Sequence, residues 1–132
     1  MWRILIGAAA AVVAASAVPT LANAATGSFN RDCFHSTRWE SWEAAAGGDA
    51  LYLRVGPRDV YRVDLTPGSH VRKSGGEFLV NRPRGGSNLV CSTLDLDLSI
   101  ADGHGFHQAL FPTSLRKLTP DEVAAIPPKY RP

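Results

Sequence analysis

Asn88-Leu89-Val90-Cys91-Ser92-Thr93-Leu94-Asp95-Leu96-Asp97-Leu98-Ser99-Ile100 is the stretch whose reading decides the fold. From Leu94 an apolar residue recurs at every second position, through Leu96 and Leu98 to Ile100, with Asp95, Asp97 and Ser99 between them. A period of two gathers the apolar set on one face of a strand and the polar set on the other, whereas a helix would scatter both around its barrel. The stretch therefore reads as one β-strand from Asn88 to Ile100 with a dry face and a wet face. Cys91, near its start, is placed to tie it to an earlier part of the chain.

Downstream, Asp102-Gly103-His104-Gly105 reads as a glycine-rich hairpin turn. Phe106 to Leu118 then returns as a last strand with a possible bend at Pro112. Thr119-Pro120-Asp121-Glu122 is the sharpest local signal: Thr119 as N-cap, Pro120 at the first helical position, Glu122 closing a capping box. The helix carries Val123 to Ile126 and stops at Pro127-Pro128. At barely two turns it must dock on a sheet to persist.

Upstream, Ala50 to Val55 alternates, with Leu51, Leu53 and Val55 on one face, and Val60 to Leu65 alternates again. The turn Gly56-Pro57-Arg58-Asp59 joins the two into a β-hairpin. Pro67-Gly68 ends it, His70 to Gly76 reads as a loop, Glu77 to Val80 as a short strand, and Arg82 to Ser87 as another loop. The segment around Trp39 has two readings. Thr37 with Glu40 makes a capping box for a helix from Arg38 to Ala46, closed by Gly47. Alternatively, a turn near Arg38 to Ser41 leads into an extended Trp42 to Ala46 that feeds the hairpin. The sum is a mainly β domain of five to seven short strands, an antiparallel meander closed as a small barrel or packed as a two-layer sheet, with one short C-terminal helix.

The first residues read as an export signal. Met1-Trp2-Arg3 is a short positive start, Ile4 to Val18 is apolar and Ala-rich, Pro19 breaks it, and Ala22-Asn23-Ala24 is a small-x-small cleavage site. The apolar run is shorter than the roughly 20 residues that span a bilayer. Residues 1–24 are thus expected to be removed, leaving 25–132 as one domain, ordered from about residue 31, that does not span the membrane. The signal holds one base and no acid, so the remainder keeps 14 − 1 = 13 bases against 12 acids, a net charge of +1. Such a balance argues against a nucleic-acid partner, which calls for a concentrated positive excess. Arg82 and Arg84, flanking Pro83, read as a solvated turn.

Export places Cys33 and Cys91 in an oxidising compartment, periplasmic or extracellular, and two cysteines with none left over favour one disulfide. A reactive thiol partnered by His35 is the other reading.

Five segments together carry a resemblance: Arg31-Asp32-Cys33-Phe34, Tyr52 to Gly56, Asp59 to Leu65, Val90 to Leu94, and the ending from Leu115 to Pro127. In combination they resemble the small exported bacterial proteins of domain-of-unknown-function family 6491, over nearly all of the chain after the signal. The resemblance implies an exported protein and supplies no activity, cofactor or catalytic residue. Relatives in that family carry two further cysteines, near Ser69-His70 and near Leu110-Phe111, both absent here. Joint absence fits a second disulfide lost as a unit, with Cys33 and Cys91 as the surviving structural pair.

For chemistry, the best constellation is Asp95 and Asp97 on the wet strand face with Asp102, His104 and His107 around the following turn. Histidines and carboxylates suit zinc or a similar ion, but the spacing matches no known metal signature and no calcium loop is present. Trp39 and Trp42 would share a face on a helix and oppose each other on a regular strand, and an exposed aromatic pair offers a surface for a sugar or a peptide. Ser36, Ser41 and Ser92 lack a Gly-x-Ser-x-Gly setting, and no phosphate-cradling glycine loop follows a strand. The expected function is a non-enzymatic binding or structural domain of the cell envelope, with an unidentified envelope partner and no cofactor. The alternative is a small metal- or ligand-dependent enzyme using the edge formed by Asp95, Asp97, His104 and His107.

Overall fold

The computed structural model describes residues 32–132, so the expected export signal over 1–24 and residues 25–31 lie outside the described residues. The described chain is mainly β. Its strands are β1 (Phe34–His35), β2 (Trp39–Ala44), β3 (Ala50–Val55), β4 (Asp59–Leu65), β5 (Glu77–Asn81), β6 (Leu89–Val90), β7 (Leu98–Asp102), β8 (His107–Ala109) and β9 (Pro112–Lys117), followed by α1 (Pro120–Ala125). All pairings are antiparallel: β2-β3-β4-β9 form the largest sheet, β5-β7-β8 a second, and β1-β6 a short ribbon.

The expected hairpin is present, with Leu51 opposite Val63 and Leu53 opposite Tyr61. Alternation points Leu51, Leu53, Val55, Tyr61, Val63 and Leu65 to one face, where they join Trp42, Phe34, Val90, Leu96, Leu98 and Ile100 in a single core. The two larger sheets thus close over one interior. They are joined where β8 runs into β9: the Leu110 N–H donates to the Leu98 carbonyl (2.9 Å), and the next carbonyl, Phe111, accepts from the Thr66 N–H (3.0 Å). The expected single last strand is therefore two, and Pro112 opens the second, at the step from one sheet to the other.

Cys33 and Cys91 form a disulfide, so neither is a free thiol available to His35. The bond extends the β1–β6 ribbon and encloses a chain separation of 58 residues. Chain-entropy arithmetic for a ring of that size gives about 4 kcal/mol, a large share of what a domain of this size has in total.

The Asn88–Ile100 stretch is not one strand. It is β6, a 3-10 turn over Thr93–Asp95, and then β7. The cause is Ser92-x-x-Asp95. The Ser92 hydroxyl accepts from the Leu94 N–H at 3.3 Å, and Asp95 Oδ2 accepts from the N–H groups of Cys91 and Ser92, both at 2.9 Å. A side chain that satisfies local backbone groups offers the chain an alternative to the sheet ladder, and here it wins. The period-two pattern holds from Leu96 on, with Leu96, Leu98 and Ile100 buried, but Leu94 is turned out and 77% exposed. Ser99, assigned to the wet face, is buried.

The helical reading of Arg38–Ala46 also gives way. A 3-10 turn covers Ser36–Arg38 and β2 follows directly, which agrees with the turn-then-extended alternative, shifted earlier by about one turn. Glu40 does not cap a helix; it pairs with Arg54 on the neighbouring strand at 3.6 Å. Burial of Trp42 and Ala44 against β3 outweighs the local helix preference of the alanines.

The C-terminal helix forms as read, with both halves of its Thr119/Glu122 capping box in place. Ile126 and Val123 dock with Leu118 on Val60 and Tyr52, on the outer face of the large sheet. Among the described residues, no helix is long and apolar enough to cross a membrane.

Candidate functional site

The residues singled out for metal chemistry are not brought together. Asp95 is spent on capping: hydrogen bonds from the backbone N–H of Cys91, then of Ser92, hold its carboxyl below the usual range against the opposing effect of desolvation. Asp97 is exposed, and its N–H donates to Asn81 Oδ1 at 3.0 Å. Asp102 organises the hairpin turn by accepting from the N–H groups of His104 and Phe106, both at 2.8 Å. The His104 side chain is 95% exposed with its Nδ1 4.0 Å from Asp102, and His107 is also exposed. Among the described residues, no group of three or more histidine, cysteine or acidic side chains has a geometry that could hold a metal ion.

The two tryptophans are arranged differently from either sequence reading. The β2–β3 register slips by one residue between Trp39 and Ser41, making Glu40 the extra residue of a bulge. Trp39 then pairs with Val55 and Trp42 with Leu53, two positions on the same face of β3. A bulge restores to a strand what its period would have taken away. Trp42 is buried in the core, while Trp39 packs only partly against it, its indole N–H donating to the Ser41 carbonyl at 2.9 Å.

Trp39 lies in a groove of ≈ 500 Å³ that runs between β2 and β5. These are the outer strands of their sheets: β2 pairs only with β3, and β5 only with β7. One wall carries Trp39, Glu40 and Ser41; the other carries Phe78, Leu79 and Asn81. Phe78 is 50% exposed. The open edge is short. At Trp42 the main-chain carbonyl is already taken by Lys73 Nζ, 2.8 Å away, and Lys73 also pairs with Glu43 at 2.6 Å. Further on, the Val71 N–H donates to the Gly48 carbonyl at 2.9 Å, so the segment around Val71 packs on the turn between β2 and β3.

Two residues that line this groove each carry a buried side-chain polar atom without a hydrogen-bond partner, Ser41 Oγ and Asn81 Nδ2. The Asn81 amide oxygen is occupied by the Asp97 N–H, which leaves its NH₂ group as a buried donor without an acceptor. Arg54 Nε, on the strand position opposite Ser41, lacks a hydrogen bond too, although Glu40 stands within ion-pair distance. A buried donor left unpaired costs on the order of 1–3 kcal/mol, and two of the three such atoms among the described residues belong to residues that line the groove. Glu40 is the one charged residue lining the groove. The chemistry on offer is therefore aromatic contact plus neutral hydrogen bonding.

Sequence reasoning found Trp39 but missed Phe78 and Asn81. Nothing local marks them, because their role depends on β5 standing at a sheet edge opposite β2. The outer face of the large sheet holds another polar cluster, with Arg62 Nε 2.7 Å from Asp64 and Ser114 donating to the same carboxylate. Burial raises the Asp64 carboxyl, but hydrogen bonds from Ser114 and Arg62 outweigh it and leave the group below its ordinary range. Every member there has a partner, and the cluster serves to bind β4 to β9.

No protein-family model, curated protein or solved structure matches the chain.

Proposed function

We propose that this chain is an exported, non-enzymatic binding domain of the bacterial cell envelope, periplasmic or extracellular, and that the β2–β5 groove is its binding face. The observation that carries the reading is the coincidence in that groove of two accessible aromatic side chains, Trp39 and Phe78, with the unpaired edges of β2 and β5. Export is supported by the three-part pattern of Met1 to Ala24. The Cys33–Cys91 disulfide is compatible with an oxidising compartment. Membership in domain-of-unknown-function family 6491 belongs to the same proposal and rests on the five segments quoted above.

Photo-crosslinking tests the reading. A photoreactive amino acid replaces Phe78 in the exported protein within living cells, and the same group at Phe111, which is 66% exposed away from the groove, serves as control. A discrete adduct from position 78 and none from 111 is expected. Equal labelling at both positions, or none at either, would overturn it.

A further inference from the structure

We infer that the groove takes an extended, uncharged peptide segment of another polypeptide, seated as an added strand between β2 and β5; this rests on the reading of that groove as the binding face. Both walls are strand edges that lack a neighbour on the groove side. An edge presents a row of main-chain donors and acceptors, and the ligand that matches two facing rows is another extended backbone. The size agrees. A strand residue occupies a rise of about 3.3 Å, a strand spacing of about 4.8 Å and a sheet spacing of about 10 Å, or roughly 160 Å³. The groove of ≈ 500 Å³ then holds about three residues. On β2 it is lined by Trp39, Glu40 and Ser41, before Lys73 caps the Trp42 carbonyl, and on β5 by Phe78, Leu79 and Asn81; the Ser41 carbonyl already accepts from the Trp39 indole.

The side chains select the peptide. Ser41 and Asn81 give the lining a neutral polar character. Trp39 and Phe78 offer contact area to an apolar or aromatic side chain. With Glu40 engaged by Arg54, the lining supplies no free counter-charge for a strongly acidic or basic segment. A neutral oligosaccharide would use the same aromatic and amide groups but not the paired strand edges, so the peptide is favoured.

Selection of random linear peptides displayed on phage against the oxidised protein tests the inference, followed by affinity measurement on synthetic copies. Methylating the backbone nitrogen of alternate peptide residues should weaken binding at least tenfold, and methylating the residues between should leave it nearly unchanged. Phe78→Ser should also weaken binding at least tenfold, at a half-exposed position where folding is preserved. An array of neutral oligosaccharides runs in parallel. Peptides indifferent to backbone methylation, or to Phe78→Ser, overturn the strand inference. Oligosaccharides that bind where no peptide does overturn it as well, and leave the groove standing as a binding face. Failure of both ligand classes overturns both.

Discussion

Removing the disulfide should cost this domain more than any single side chain outside the core. The perturbation is the double variant Cys33→Ala/Cys91→Ala, which leaves no lone thiol. The ring closes over 58 residues, and its chain-entropy contribution is about 4 kcal/mol. Unfolding entropy near about 2 cal/mol/K per residue gives a domain of about 100 residues roughly 0.2 kcal/mol per degree, so the melting temperature should fall by roughly 20 °C. Beyond the covalent clip, β1 and β6 are paired over two residues each, Phe34 with Val90 and His35 with Leu89. Phe34 is buried with its ring 4.6 Å from that of Tyr61, so freeing β1 also loosens one wall of the core. Thermal unfolding followed by circular dichroism reads the shift. Should the double variant fail to fold, titrating the oxidised protein with reductant and following tryptophan fluorescence gives the same comparison. A fall of less than about 5 °C would refute the reasoning, because the ribbon would then be holding itself.

Three further outcomes are expected. Leu94→Ser should change stability by less than about 0.5 kcal/mol, as at other exposed sites, whereas Leu98→Ala should cost about 2–5 kcal/mol; similar costs at the two positions, by urea denaturation, would restore the continuous strand. Gly48 has φ of +71°, and a Cβ there would stand 2.7 Å from the Val71 carbonyl oxygen, so Gly48→Ala should destabilise by more than about 1 kcal/mol in the same assay. The Glu77 carboxyl is held down to about 2, first by hydrogen bonds from the Ser74 hydroxyl and backbone N–H, against an ordinary value of 4.5. A depressed carboxyl stabilises the fold above its unfolded value and loses that contribution as pH falls from about 4.5 towards about 2; titration by NMR should place the Glu77 midpoint near 2 and show it rising in Ser74→Ala.

Much of the architecture was legible because it is local. The β3–β4 hairpin is written in two alternating runs around Gly56-Pro57, and α1 in a Thr-Pro-x-Glu start whose cap partners lie three residues apart. The errors have identifiable physical sources. Period two correctly assigned Leu96, Leu98 and Ile100, but extending it back through Leu94 ignored the competition that Ser92 and Asp95 set up for the same backbone. Around Trp39, a good helix start lost to tertiary burial on β3, and a one-residue bulge that no periodicity announces put both tryptophans on one side. The Asp and His residues near the Asp102 turn suggested a metal edge, yet Asp95 and Asp102 each bond their own local backbone. The groove was illegible for a simpler reason: β2 and β5 are 33 positions apart from Ala44 to Glu77, and only the closed fold leaves their edges facing one space.

Hydrogen exchange of the oxidised protein, free and saturated with a selected peptide, tests the open β2–β5 seam most directly. Added protection should appear at alternate amides within 39–41 and within 78–81, on both walls together, with the interior strands β3 and β7 unchanged. Protection gained on neither edge, or gained at the exposed surface around Phe106 and Phe111 instead, would contradict a peptide strand seated in that groove.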